Sequence, residues 1–205
     1  MIKNTGSITN KVYQEILQDI TGGQYNFSDY LTEKELMERH GASRAPVREA
    51  LIQLQSDRFI KSIPRHGYRI DRPDEAENRD IIDFRTKLEC TFLRSCHRMI
   101  TNEKIRQLRR ICDEYSAVEK KDFITLWQTN TEFHCELFAA YKNDYALHVL
   151  KEAMSRQLLN YVEAAQEAVP EADLHYAVLD YLEKGNIQTA ATLLEADIGK
   201  IVTPG

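Results

Sequence analysis

Two hydrophobic rhythms divide the chain. In its first part Ile8, Val12, Ile16 and Ile20 recur every four positions and stop at Gly22-Gly23, which predicts an amphipathic helix with a glycine exit. A second helix opens at Thr32-Glu33-Lys34-Glu35, a capping box in which Thr32 and Glu35 satisfy each other's free backbone N–H groups, and ends at His40-Gly41. Ser43 is a good N-cap for a third helix from Arg44 to about Asp57, where Pro46 is tolerated because the first turn needs no N–H donor there. Phe59, Ile60 and Ile63, then Tyr68-Arg69-Ile70, alternate around Pro64-Arg65-His66-Gly67 and predict two short strands about a tight turn. Helix, helix, turn, helix, hairpin is the order of a winged helix-turn-helix, here residues 1–72, with Pro73 at its boundary.

The second rhythm is helical throughout. Between Pro73 and Pro170 lie 96 residues without glycine or proline, rich in Leu, Glu, Lys, Arg and Ala. A sheet protein needs turn residues every ~8–12 positions, so this stretch is not a β-sandwich. Capping side chains at Thr101-Asn102, Lys121-Asp122 and Asn143-Asp144, together with Pro170 and Gly185-Asn186, cut the segment from about Asp74 to Val202 into six helices. Short connections make neighbours antiparallel, so residues 73–205 are read as an all-α six-helix antiparallel bundle and the chain as mainly α.

Composition narrows the function. The 205 residues are 42% hydrophobic and 29% charged, with a net charge of −5. No apolar run approaches the roughly 18 residues that cross a bilayer. The start Met1-Ile2-Lys3-Asn4 lacks a signal-peptide core, so a cytoplasmic protein without membrane partners is expected. Four cysteines (Cys90, Cys96, Cys112, Cys135) without a CxxC spacing are read as free thiols. The charge is unevenly spread. Arg39 to Arg72 holds eight Lys/Arg against three acids, while the remainder is acidic, which suggests a nucleic-acid-facing module joined to one that is not.

The third helix carries that reading. At 100° per residue Val47, Ala50, Leu51 and Leu54 share one side, with Arg44, Arg48 and Gln55 in a separate polar stripe. Arginine donates bidentately to a guanine edge or to phosphate and glutamine pairs with adenine, which suits a recognition helix in the major groove. Ile52 flanks the stripe and is expected to pack against the hairpin rather than touch a thymine methyl. Ser43 leaves the helix N-terminus facing a phosphate, and Arg65, His66 and Gly67 form the wing tip, where glycine permits close approach to a backbone.

In the helical half, polar residues interrupt apolar faces. Asn130 and His134 sit among Phe123, Leu126, Trp127, Phe133, Leu137 and Tyr141; His175 sits among Leu174, Val178, Leu179 and Leu182; Asp197 lies on the stripe of Ala190, Leu193, Leu194 and Ile201. Two imidazole nitrogens and two oxygens directed at one core suit a divalent transition metal, with zinc, nickel and manganese all open. The alternative is that each is simply hydrogen-bonded, with Asn130 orienting His134. Arg85 and Glu89 fall on the inward stripe of Ile81, Leu88, Phe92 and Cys96. Arg85 is read either as a clamp for an effector carboxylate or as half of an intrahelical pair. Cys135 points 100° away from its neighbour His134 and is expected to be inert.

The stretch Ala42-Ser43-Arg44-Ala45-Pro46-Val47-Arg48-Glu49-Ala50-Leu51 resembles the "vSRtPVREAL" signature of the GntR family of bacterial transcription regulators, and Arg65-His66-Gly67-Tyr68 resembles that family's wing. The resemblance implies DNA contacts by Lys34, Arg44, Arg48, His66 and Gly67. Phe27-Ser28 replaces the usual Pro-Gly, and Arg58 stands where glycine is usual. From about Asp80 to Ile198 the chain is similar to the FCD ligand-binding domain of the FadR-like branch. Asn130, His134 and His175 match a ligand pattern of Asp or Asn, then His, then one His on each of the last two helices; Asp197 replaces the final His. Arg85 and Glu89 match its "R..lE" pattern.

The expected protein is therefore a homodimeric regulator, more readily a repressor, whose paired heads read a pseudo-palindromic double-stranded operator and whose bundle senses a small carboxylate through a divalent metal. Two alternatives stay open: a metal-dependent enzyme acting on an organic acid, since two histidines and a carboxylate also make an oxygenase-type triad, and a DNA-binding regulator with a purely structural bundle.

Overall fold

The structure is a computed structural model that describes residues 8–120, 122–167 and 173–200. The chain divides into two compact units at Arg72/Pro73. The expected breaks at Lys121 and Pro170, the stripe residue Ile201, the end at Val202 and the leader reading at Met1-Ile2-Lys3-Asn4 lie on residues outside those described.

In the first unit, α1 (Ile8–Thr21) buries Val12, Ile16 and Ile20 together with Tyr13 and Leu17; Ile8, the first residue of the expected stripe, is exposed. Tyr13 donates its hydroxyl proton to Asp57 Oδ2 at 2.8 Å, tying α1 to the exit of the third helix. At the start of α2 (Glu33–His40) the Thr32 side chain accepts from the Glu35 N–H, one half of the expected capping box, and the helix ends on Gly41 in the left-handed region at φ 58°. α3 (Arg44–Ser56) packs Val47, Ala50, Leu51 and Leu54 inward. Ser43 has the extended backbone of an N-cap, but its side chain makes no capping hydrogen bond.

The sheet has three strands where the sequence predicts two. β2 (Ile60–Ile63) and β3 (Gly67–Ile70) form the expected hairpin, and a two-residue β1 (Tyr30–Leu31) adds to the other side of β3 in the order β1-β3-β2. Leu31 pairs with Tyr68 and Tyr30 with Arg69. Two residues carry no periodicity, so β1 escapes any pattern search. It nevertheless explains Gly67, whose φ is +105° and whose absent Cβ would lie well inside van der Waals contact distance of the Leu31 carbonyl oxygen. The close approach that glycine permits here is to the protein's own backbone. Arg58, between α3 and β2, adopts φ 60°, which accounts for the glycine usual at that place in the resembling family.

In the second unit the helices are α4 (Glu75–Cys96), α5 (Asn102–Ala117), α6 (Phe123–Ala139), α7 (Asp144–Glu167), α8 (Asp173–Glu183) and α9 (Ile187–Ile198), with a short 3-10 turn at His97–Met99. The side chains of Asp74, Thr101, Asp122 and Asn186 each accept the backbone N–H three residues on, so the polar residues that mark the breaks in the sequence are the caps. Leu93, Leu108, Cys112, Phe133, Val178, Leu179, Ala190 and Leu194 meet in one core drawn from α4, α5, α6, α8 and α9. α4 departs from expectation. Its fully buried line is Asn78, Arg85, Glu89, Cys90 and Leu93, while Ile81, Leu88, Phe92 and Cys96 are only half-buried.

Replacing Gly67 by Ala is expected to lower the stability of the winged unit by ~2 kcal/mol or more, because strain and a backbone clash combine. Gly23→Ala, where φ is +73° but a Cβ would meet nothing within 4 Å, should cost only ~1 kcal/mol. Urea unfolding of the two variants reads the difference, and equal losses would refute the clash.

Candidate nucleic-acid interface and buried polar site

α3 separates a packing face from a solvent face by helical period alone. With Val47, Ala50, Leu51 and Leu54 buried at or near zero exposure, Arg44, Arg48 and Gln55 are left in solvent. Arg44 is 75% exposed and its Nε–H donates to Glu33 Oε2 at 3.0 Å, an interaction that holds the side chain beside the α2 N-terminus at little energetic gain. Lys34 is exposed one residue further along α2. Ile52 does not pack on the hairpin; at 57% exposure it projects from the same outer face as Arg48.

The wing turn presents Arg65 and His66, both exposed, and Arg65 has φ 69°. His66 stacks on the Tyr30 ring at a centroid distance of 5.0 Å and an interplanar angle of 27°. Thus β1 braces the wing tip through Tyr30, an aromatic residue whose role no sequence pattern announces. Together α3, the start of α2 and the wing turn bring Lys34, Ser43, Arg44, Arg48, Arg65, His66 and Gly67 onto parts of the winged unit that are open or half-open to solvent.

The second group of polar residues is buried in the bundle. His134 from α6, His175 from α8 and Asp197 from α9 each offer a ligand atom, and these atoms lie within 4.8 Å of one another. Asp197 Oδ2 lies 3.1 Å from His134 Nε2 and 2.9 Å from His175 Nε2. His175 is held flat against Phe133 at a centroid distance of 3.9 Å, and its Nδ1 has no hydrogen-bond partner. Asn130 is buried one helical turn before His134.

From His134 a chain of polar contacts runs across the bundle. Its Nδ1 lies 2.6 Å from Glu89 Oε2, while Arg85 donates from Nε to Glu89 Oε1 at 2.9 Å and from Nη1 to Gln157 Oε1 at 2.8 Å. Both readings of Arg85 survive: the intrahelical pair exists, yet Nη2 is buried without a partner. Arg85 is 0% and Glu89 3% exposed. Burial alone would raise the Glu89 pKa, but the Arg85 guanidinium and His134 outweigh it and hold Glu89 ionised. Burial would likewise depress His134, and Glu89 with Asp197 more than offsets it, whereas for His175 burial prevails and lowers the pKa. Asp197 is held well below the carboxylate range because both histidines outweigh its own desolvation. With Nδ1 of His134 turned to a carboxylate, its Nε2 is oriented toward Asp197, the carboxylate–histidine arrangement that presents a ring nitrogen to a metal. The donors therefore fit a divalent transition metal. Cys135, next in sequence, is buried, and burial pushes its thiol up to about 12.

The comparisons agree with both halves. The model described as "Bacterial regulatory proteins, gntR family" matches residues 8–70, and the FCD domain model matches residues 80–200. The chain belongs to the GntR family of bacterial regulators. This GntR chain is 28% identical over 131 residues to the HTH-type transcriptional repressor RspR of Escherichia coli (strain K12), covering 63% of the chain and 58% of the relative. It thus spans less than two thirds of that relative's length. To the Uxu operon regulator of Haemophilus influenzae it is 26% identical over 217 residues, covering 92% of the chain and 79% of the relative. The fold is shared with a putative transcriptional regulator GntR from Rhodococcus sp. RHA1, at a TM-score of 0.70, 20% identity and 93% coverage of each chain. Escherichia coli McbR/YncC has a TM-score of 0.67 at 20% identity over 95% of the chain and 94% of that protein. The chain therefore joins a segment of the gntR family of bacterial regulatory proteins to an FCD domain. No helix among its described residues is long and apolar enough to cross a membrane.

Replacing Glu89 by Leu leaves the buried Arg85 charge uncompensated and is expected to destabilise the FCD half by ~3–5 kcal/mol, read from its urea midpoint. A near-neutral result would mean that the pair does not carry the charge of Arg85.

Proposed function

We propose that this regulator is a cytoplasmic, homodimeric repressor that binds a pseudo-palindromic operator and is released, or retained, by a small carboxylate held in the FCD domain at a divalent metal. The observation that carries the sensing half is the convergence of His134 Nε2, His175 Nε2 and Asp197 Oδ2 in a buried site. His134, His175 and Asp197 are the metal ligands of this reading, with the Asn130 side-chain oxygen as the fourth. A divalent ion with one carboxylate and two neutral imidazoles keeps net positive charge, which favours an anionic ligand. The unpaired Nη2 of the buried Arg85 is a donor suited to a carboxylate oxygen.

For the DNA half, Arg44 and Arg48 reach base edges or phosphates in the major groove from α3, Lys34 and Ser43 hold the backbone beside the helix start, and Arg65, His66 and Gly67 follow the flanking backbone. Two such heads related by a two-fold axis read the two half-sites. The name of RspR as a repressor supports the direction of regulation.

Titration of the protein with DNA from upstream of its own gene tests the reading helix. Arg44→Ala and Arg48→Ala are each expected to cost ~1–3 kcal/mol of binding, and affinity should fall steeply with salt. Unchanged affinity in the double variant would refute the assignment.

Elemental analysis of purified protein beside His134→Ala tests the sensor. Metal in the first and not in the second is the expected result. None in either leaves the bundle as a structural element. A thermal-shift screen of small organic acids, with and without Zn2+, then identifies the ligand class.

A further inference from the structure

The buried polar chain does not stop at Arg85. Gln157, on α7, accepts from Arg85 Nη1 at 2.8 Å and donates its own Nε2–H to Asn78 Oδ1 at 3.3 Å. Gln157 is 0% and Asn78 2% exposed. Asn78 closes the first turn of α4, its backbone N–H donating to the carbonyl of the N-cap Asp74. One turn later on α7, Asn160 Nδ2 donates to the Pro73 carbonyl at 3.4 Å, and Arg156 grips Glu77 with two donors at 2.8 and 3.0 Å. Three residues of α7, Arg156, Gln157 and Asn160, therefore hold the segment Pro73–Asn78, where the FCD half begins, and Gln157 also touches the ion pair that orients His134.

The geometry points to Gln157 as the positioning residue that transmits occupancy of the His134/His175/Asp197 site to the first turn of α4. The inference rests on the metal reading above. His134, Glu89, Arg85, Gln157 and Asn78 form one unbroken line of side-chain hydrogen bonds, each link 2.6 to 3.3 Å long. At low local dielectric linked hydrogen bonds polarise one another, so a change in what His134 binds through Nε2 alters how strongly Glu89 holds Arg85. Arg85 has one donor on Glu89, one on Gln157 and one unpaired, so any shift in its seating is felt at the Gln157 amide. Gln157 in turn meets the α4 start, the structural element adjoining the boundary at Arg72/Pro73.

Amide hydrogen exchange at Glu77 and Asn78 of the full chain, with and without Zn2+, tests the coupling, while calorimetry reports Zn2+ binding independently. In the wild type, Zn2+ is expected to change exchange there by about fivefold or more, the low end of ordinary allosteric coupling. Gln157→Met and Asn78→Ala should each abolish that Zn2+-linked difference with Zn2+ affinity unchanged. Gln157→Glu, which keeps an acceptor for Arg85 and accepts from Asn78 Nδ2 once the Asn78 amide turns over, should retain it. A purely structural Gln157 shifts exchange equally in both states and leaves the difference intact. The inference is overturned if the difference persists in Gln157→Met and Asn78→Ala, or if wild type binds Zn2+ without any change at these amides. Absence of Zn2+ binding to wild type overturns the metal reading itself, and this coupling with it.

Discussion

Glu89 sits between a guanidinium and an imidazole with all three groups out of water, and the helical half is organised around keeping that carboxylate compensated. Taking each ion from water costs several kcal/mol even after relaxation, a penalty offset only when every neighbouring donor is aimed well. The aiming comes from three helices: α4 supplies Arg85 and Glu89 four residues apart, α6 brings His134 and α7 brings Gln157. Because an unpaired charge in this interior would be far worse than a paired one, the network fixes the register of these helices more firmly than leucine contacts alone would. The histidine–aspartate group inherits its geometry from this arrangement.

The winged unit solves a different problem with the same economy. α3 must be held rigidly yet leave one face open. Its apolar quartet of Val47, Ala50, Leu51 and Leu54 anchors it, so the long side chains opposite lose no freedom to packing. The two-residue β1 matters more than its length suggests, since it closes the hairpin from its open side, compels glycine at position 67 and supports His66 through Tyr30. An edge strand left bare would offer unpaired backbone groups, and β1 covers part of it.

Much of this was legible in the sequence, and the exceptions have physical causes. Capping residues located the starts of α2, α4, α5, α6 and α9, because Thr32, Asp74, Thr101, Asp122 and Asn186 satisfy backbone donors where a helix must start. The winged order and the basic stripe were visible in the same way. Three features were not. β1 is too short for a pattern. Ile52 was expected to be covered, but it is 57% exposed and sits about 80° around α3 from Arg44, where no rule of composition places an isoleucine. On α4 the apolar positions suggested the wrong inward line, since Arg85 and Glu89 are themselves the buried centre and Ile81, Leu88 and Phe92 are displaced to its flanks. Gln157 carried a usable signal that was not exploited: it interrupts the stripe of Leu150, Met154, Leu158 and Tyr161 just as His134 interrupts its own. What no one-dimensional pattern contains is the pairing of His134 with Glu89, 45 positions away, because partners across helices are chosen by packing.

The thiols of the bundle have one more consequence. Burial pushes Cys90 up to about 11 and Cys112 and Cys135 up to about 12. At neutral pH burial thus keeps all three in the thiol form, whereas oxidants and electrophiles attack the thiolate. Buried and kept protonated, these three sulfurs serve as small apolar filling of the core rather than as nucleophiles.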